Sequence, residues 1–96
     1  MASVRWSVRA RADLRAISDY LAEVAPGYAE RFEERILGAT RRLETFPLSG
    51  RVIPEAEDEQ LREILYRQYR IMYHVDTDGH DVFILTVLHS AQQFGQ

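Results

Sequence analysis

The sequence contains no cysteine and no lysine, so all 12 of its basic residues are arginine. The absence of cysteine excludes a disulfide framework and a thiolate metal site, and it suits a reducing compartment. A chain of 96 residues buries roughly 60–70% of its unfolded surface without such links. We therefore expect one domain over residues 1–96, held together by its apolar core.

Long apolar runs and grouped metal ligands are also absent from the sequence. The longest apolar run, Val82 to Leu88, is far shorter than the ~20 residues that span a bilayer. No apolar stretch separates Arg5, Arg9 and Arg11, which argues against a signal peptide. The three histidines lack the spacing of metal ligands. We expect a soluble, cytoplasmic protein with no membrane partner, no metal and no cofactor.

The charge that is present is acidic overall. The net charge is −3 and the isoelectric point of the sequence is about 5.6. Arginine pairs bidentately with carboxylates and phosphates. Non-specific nucleic-acid binding depends on basic patches that release counterions, and the field of an acidic molecule opposes it. We therefore expect no direct, sequence-specific contact with nucleic acid.

The first half of the chain has the periodicity of two helices. A short strand is predicted at Val4 to Trp6, and Ser7 is a suitable N-cap for a helix that begins after it. Apolar residues three and four apart predict this helix from about Val8 to Val24. A second apolar stripe runs to about Phe46, where Pro47 ends it. Two helices joined by so short a break pack antiparallel as a hairpin.

The second half predicts strands. The segment from Leu61 to Gln93 reads as three consecutive short strands, whereas the loop from Pro47 to Gln60 has little regular structure. The predicted class is α+β: an N-terminal strand, a two-helix antiparallel hairpin, and a three-stranded antiparallel meander that completes a small sheet. Within Tyr69 to Val75, alternation places Arg70 and Met72 on one face. The helical hairpin covers only one face of the sheet, so we expect a partner protein to cover the face that carries Arg70 and Met72.

Four segments of the chain, taken in order, carry a family resemblance. They are WSVRARADLRAISDYLAE, FPLSGRVIPE, a Tyr-Arg-Ile strand and an Ile-Leu-Thr-Val-Leu-His ending. The order and the segments resemble the RelE/ParE toxins, the poison components of bacterial toxin–antitoxin pairs, over nearly the whole chain. The resemblance implies the RelE/ParE-like fold and a co-encoded antitoxin, with which the toxin forms a hetero-oligomer.

Members of this family poison either DNA gyrase or the translating ribosome, so two functions stay open. A RelE-like nuclease drives a ribose 2′-OH onto the neighbouring phosphate, which requires a base, an acid and cations. If this chain were such a nuclease, the resemblance would assign catalysis to Arg62, Arg70 and His89. However, Gln92 and Gln93 stand where many relatives have arginine, and neither lysine nor a terminal tyrosine is present.

The thin set of acid–base groups and the acidic charge favour a ParE-like inhibitor that binds DNA gyrase and has no catalytic residues. Its contact residues, for the target or for the antitoxin, are predicted to be Arg62, Arg67, Arg70, Met72 and His89. The three arginines are expected to form one basic patch. Alternatively, they only pair with Glu63 or with the acidic loop Glu55–Glu59, or the protein has lost toxicity and only binds its antitoxin.

Overall fold

A mixed sheet carries two helices on one of its faces. The computed structural model describes residues 1–90, and within them the elements follow the predicted order. They are β1 (Ser3–Trp6), α1 (Val8–Val24), α2 (Pro26–Arg41), a 3₁₀ turn (Arg42–Glu44), β2 (Arg51–Val52), β3 (Leu61–Tyr66), β4 (Tyr69–Val75) and β5 (Asp81–His89). The strand order is β1-β5-β4-β3-β2, with β1 parallel to β5 and the other pairs antiparallel. The α+β class and the hairpin-plus-meander arrangement are confirmed.

Helix α1 begins where the sequence predicts. The Ser7 hydroxyl oxygen accepts a hydrogen bond from the Ala10 N–H at 3.0 Å, which makes Ser7 the N-cap of α1. Pro26 occupies the first position of α2, where its missing N–H costs nothing. The second helix ends earlier than the predicted Phe46, because the last turn tightens into the 3₁₀ geometry with Thr45 N–H bonded to Arg42 O.

Strand β5 contains a β-bulge, which the alternation of side chains along the sequence did not predict. Met72 on β4 is paired with Thr86, but the next residue, Tyr73, is paired with Ile84, so Leu85 has no partner in β4. An extra residue in one strand reverses the alternation of the faces beyond it. As a result Ile84 lies in the core beneath the helices together with Val87, three positions later.

The start of α1 supplies the hydrogen bonds that β5 lacks at this bulge, where β1 has already ended. The Ser7 hydroxyl donates to Leu85 O at 2.9 Å. The Asp13 carboxylate accepts hydrogen bonds from the Thr86 hydroxyl and, at 3.1 Å, from the Val87 N–H. Because these groups of β5 are satisfied by the N-cap and the second turn of α1, the helix is anchored to the open edge of the strand.

On the opposite face of the sheet, the chain itself covers the area around Met72, so this part of the face is not open, which corrects the prediction from the sequence. The loop that was expected to lack regular structure forms the two-residue strand β2, which pairs with β3. Ile53 then donates its N–H to Leu61 O at 3.0 Å and turns its side chain over the sheet. It packs there against Met72 and Leu88, and both Ile53 and Met72 are fully buried.

The approach of this segment to the sheet requires glycine at position 50. A Cβ at Gly50 would lie 2.5 Å from the Tyr73 hydroxyl and 2.6 Å from Glu63 O, whereas a Cβ at Gly38 in α2 would meet no heavy atom within 4 Å.

We expect Gly50→Ala to lower the free energy of unfolding by about 1–3 kcal/mol, as overpacking does. The control Gly38→Ala should raise it by up to about 1 kcal/mol through helix propensity. Urea denaturation measures both, and equal effects would contradict the close approach.

Candidate functional site

The buried carboxylate of Glu63 forms the centre of a charged network on the face opposite the helices. Its side chain is completely buried near the middle of β3. One oxygen, Oε1, accepts from Arg70 Nε at 2.7 Å, and the other, Oε2, accepts from Arg51 Nε at 2.5 Å. Arg51 is the direct partner of Glu63 across β2 and β3. The carboxylate of Glu63 is therefore bound by two guanidinium groups, those of Arg51 and Arg70.

Arg70 links this carboxylate to the loop between β2 and β3. Its Nη1 and Nη2 donate to the two carboxylate oxygens of Glu55, both at 2.8 Å, in a bidentate pair. The hydrogen bonds with Glu55 raise the pKa of Arg70 above its ordinary value, burial opposes this, and Glu63 adds to the increase. The arginine therefore stays charged, and its charge is compensated by two carboxylates.

The other two arginines of the predicted patch lie elsewhere. Arg62 donates from Nε to Glu59 O at 2.9 Å and from Nη1 to Gly50 O at 3.1 Å, so it fixes the loop backbone. Arg67, at the β3–β4 turn, places its guanidinium 5.3 Å from the ring centre of Tyr28 on α2. Arg62 and Arg67 stand at opposite ends of β3, about 16 Å apart along the strand.

The prediction that these arginines form one exposed basic patch is therefore wrong. Arg70 is 6% exposed and sits between carboxylates, as the alternative from the sequence had it. The sequence offered pairing of these arginines with Glu63 or with the loop Glu55–Glu59 only as an alternative. It did not identify Arg51 as a partner of Glu63, because Arg51 reaches the network only through the fold of the loop. The predicted binding roles of Arg62, Arg67, Arg70, Met72 and His89 stay predictions.

His89 lies at the end of β5, exposed, with its ring edge-on to Tyr69 at 5.8 Å between centroids. Tyr69 packs on Phe32 of α2, with ring centres 5.0 Å apart, so this contact belongs to the helix side of the sheet. Arg70 is on the other side. The structure thus does not bring together the residues of the nuclease hypothesis. Gln92 and Gln93 lie outside the described residues.

Residues 1–90 contain neither a candidate metal site nor a helix that could cross a membrane. Among residues 1–90, no group of three or more histidine, aspartate or glutamate side chains is arranged to hold a metal ion. Within that range, neither helix has both the length and the apolar character that crossing a membrane requires. The candidate site is accordingly an arginine–carboxylate network on a sheet face.

Solved structures place this fold in a class of toxins. A chain of the chromosomal ParDE toxin–antitoxin system from P. aeruginosa superimposes with a TM-score of 0.75 at 26% identity, covering 93% of this chain and 96% of that one. The toxin–antitoxin complex RelBE2 from Mycobacterium tuberculosis has a chain of similar fold, with a TM-score of 0.58, 24% identity and coverage of 92% and 96%.

Sequence comparison narrows the class to a family. The family described as "ParE toxin of type II toxin-antitoxin system, parDE" matches residues 4–94. Toxin RelE2 of Caulobacter vibrioides is 38% identical over 93 residues, which are 96% of this chain and 99% of the relative. The putative toxin Y4kP of Sinorhizobium fredii is 35% identical over 95 residues, or 97% and 93% of the two chains. The chain belongs to the ParE toxin family of type II toxin–antitoxin systems.

The network generates a stability prediction. Glu63→Gln removes the buried carboxylate that binds Arg51 and Arg70 and leaves Arg70 with Glu55 as its one carboxylate partner of this network. We expect a loss of about 3 kcal/mol in the free energy of unfolding, as when one partner of a buried ion pair is removed. The control Glu59→Gln changes an exposed side chain and should shift it by less than about 0.5 kcal/mol. Replacing both Glu63 and Arg70 by Met should cost less than Glu63→Gln alone, because no buried charge is then left unpaired. Urea unfolding measures all three, and a neutral Glu63→Gln would contradict the network.

Proposed function

We propose that this protein inhibits bacterial growth by binding DNA gyrase, and that a co-encoded antitoxin neutralises it. The observation that carries the proposal is the compensation of Arg70 by Glu55 and Glu63. A nuclease of this fold needs cations that are free to stabilise the charge developing on a phosphate. An arginine that is 6% exposed and bonded to two carboxylates is poorly suited to that role.

The separation of the acid–base candidates supports the same conclusion. General acid–base catalysis requires a proton-transfer group within hydrogen-bonding reach of the reacting atoms. His89 contacts Tyr69 on the helix side of the sheet, whereas Arg70 lies among the carboxylates of the other side. Arg62 is engaged by the loop carbonyls of Gly50 and Glu59. A protein that acts by contact alone requires no such cluster.

The second candidate function is a ribosome-dependent mRNA endonuclease. The relative of 38% identity is named a RelE toxin, and that name favours this alternative. In such an enzyme the exposed imidazole of His89 would serve as the acid or base. Gyrase and ribosomes are both cytoplasmic, so either function carries a cytoplasmic localisation.

The partner proposal rests on the relatives as well. The two solved structures compared above are described as a toxin–antitoxin system and a toxin–antitoxin complex, and we infer a hetero-oligomer of this toxin with its own antitoxin. Because Ile53 covers Met72, an antitoxin reaches that residue only by displacing the segment between β2 and β3. Co-expression of the toxin with the protein encoded beside it, followed by size-exclusion chromatography, tests the assembly.

One experiment separates the two targets. Purified toxin is added in parallel to a gyrase supercoiling reaction and to ribosomes programmed with mRNA, each with and without the antitoxin. We expect loss of supercoiling with accumulation of cleaved DNA, no mRNA cleavage, and recovery of supercoiling when the antitoxin is present. Cleavage of mRNA on the ribosome with unaffected gyrase would establish the alternative instead.

A substitution of His89 tests the absence of acid–base catalysis. We expect His89→Gln to retain growth inhibition, because the side chain is exposed at a strand end and a contact inhibitor does not transfer protons. Loss of a positioned proton-transfer group costs about 10²–10⁴ in rate. A growth assay beside a circular dichroism melt and a ribosomal mRNA cleavage assay provides the measurement. A folded variant that loses both toxicity and an mRNA cleavage seen with the unmodified protein would refute the gyrase proposal, because loss of a contact at His89 would change toxicity alone.

A further inference from the structure

Tyr28 of α2 carries a polar group that the fold leaves unsatisfied. Its hydroxyl is buried and has no hydrogen-bond partner within the described residues 1–90. Burial raises the pKa of Tyr28, and the neighbouring Tyr66 hydroxyl raises it further, although the two hydroxyls do not meet the geometry of a hydrogen bond. An unsatisfied buried hydroxyl lowers the stability of a folded protein. Its presence in a native structure calls for an explanation, such as a ligand that binds it.

Arg67 departs from a second structural rule at the same place. It lies in the turn between β3 and β4 with a φ of 53°, in the left-handed region that residues other than glycine rarely adopt. Such backbone conformations cluster at ligand-binding sites, where function rather than stability maintains them. The guanidinium of Arg67 lies over Tyr28 and Tyr66, 5.3 Å and 5.8 Å from the two ring centres. Two features that lower stability therefore meet in one group of side chains.

The positive charge of this group is not balanced by a carboxylate. Among residues 1–90, none of the ion pairs includes Arg35 or Arg67. Arg67 Nε donates instead to the Tyr66 hydroxyl at 3.4 Å, and this hydrogen bond is the first cause of the raised pKa of Arg67. The same hydrogen bond is the first cause of the lowered pKa of Tyr66, and the charge of Arg35 lowers it further. We call Tyr28, Arg35, Tyr66 and Arg67 the tyrosine–arginine cluster.

We propose that the tyrosine–arginine cluster binds a phosphate monoester or free phosphate, a dianion with several acceptor oxygens. The Tyr28 hydroxyl would donate to one oxygen, and the guanidinium of Arg67 would turn from the tyrosine rings to bind two others. Arg67 is exposed and its hydrogen bond to Tyr66 is long, so this movement breaks little. Arg35 would add a second positive charge. This inference goes beyond the proposed inhibition of gyrase and does not depend on it.

The composition of the cluster favours a single phosphate group over other anions. A nucleic-acid backbone has one charge per phosphate and binds to extended rows of cations, and the net charge of −3 opposes its approach. A carboxylate offers only two oxygens to a set of donors that includes two hydroxyls and two guanidinium groups. A phosphate dianion provides both more charge and more acceptor oxygens, so it matches this set of donors better.

Titration with inorganic phosphate and with adenosine monophosphate tests the proposal, with chloride at equal ionic strength as the reference. NMR of the isotope-labelled protein should show the amides of Tyr66, Arg67 and Gln68 shifting with both phosphate probes and not with chloride. We expect Arg67→Asn to bind about tenfold more weakly through the loss of a charge-assisted contact. Asparagine tolerates the left-handed conformation, so the turn is kept. The matched control, Arg11→Asn on α1, should bind as the unmodified protein does.

The variant Tyr28→Phe separates binding from folding. Because it removes an unsatisfied hydroxyl, it should leave the urea midpoint of the free protein unchanged or raise it, while phosphate binding weakens about tenfold. The matched control is Tyr20→Phe, at an exposed position of α1, and it should change neither quantity. A fall in the midpoint of Tyr28→Phe with unchanged phosphate binding would show a merely structural hydroxyl and overturn the proposal.

Comparison of the probes identifies the source of the phosphate. Tighter binding of adenosine monophosphate than of phosphate indicates a nucleotide, and equal or weaker binding indicates free phosphate. The proposal is overturned if neither probe binds, if Arg67→Asn binds as well as the unmodified protein, or if Arg11→Asn is weakened as much. It is also overturned if a short DNA duplex binds more tightly than either probe and Arg67→Asn loses this binding, because the cluster would then contact a nucleic-acid backbone.

Discussion

The buried carboxylate of Glu63 is the constraint on which the outer half of the sheet depends. A strand of two residues such as β2 has few backbone hydrogen bonds of its own. The ion pair between Arg51 and Glu63 and the link from Glu63 through Arg70 to Glu55 hold it and its loop in place. Because an unpaired charge in this position is costly, Arg51 and Arg70 must both be in place around Glu63 in the folded protein. The same segment carries Ile53, which packs over the sheet.

The helix side of the sheet is joined to α1 by hydrogen bonds and not by ion pairs. These hydrogen bonds also provide partners for polar groups that would otherwise have none. At the bulge in β5 the backbone turns polar groups toward an edge that β1 does not reach. Ser7 at the start of α1 and Asp13 within it accept or supply the missing hydrogen bonds. The N-cap of the helix and the irregularity of the strand are therefore one local structure. On both faces of the sheet, side chains bind polar groups that the hydrogen bonds between strands leave without a partner.

The use of arginine in place of lysine links this architecture to function. Arg51 and Arg70 bind carboxylates through their planar guanidinium groups, and Arg62 binds loop carbonyls. The arginines without a carboxylate partner within residues 1–90 include Arg31 and Arg35 of α2 and Arg42 of the 3₁₀ turn. Membership in the ParE family therefore does not by itself fix the target, since one fold supports different sites. The compensation of Arg70 on the sheet face opposite the helices is the basis of our proposal that the protein acts by contact.

Sequence alone determined the elements whose causes are local. The helix from Val8 to Val24 and its N-cap at Ser7 result from periodicity and capping. Tertiary structure decided the rest. It set the partners of Glu63, the segment that covers Met72 and the bulge at Leu85, each of which involves residues that are distant in the chain. A local sequence pattern does not predict which distant residues come into contact. A buried charge needs a partner, but only the folded chain decides which arginine provides it.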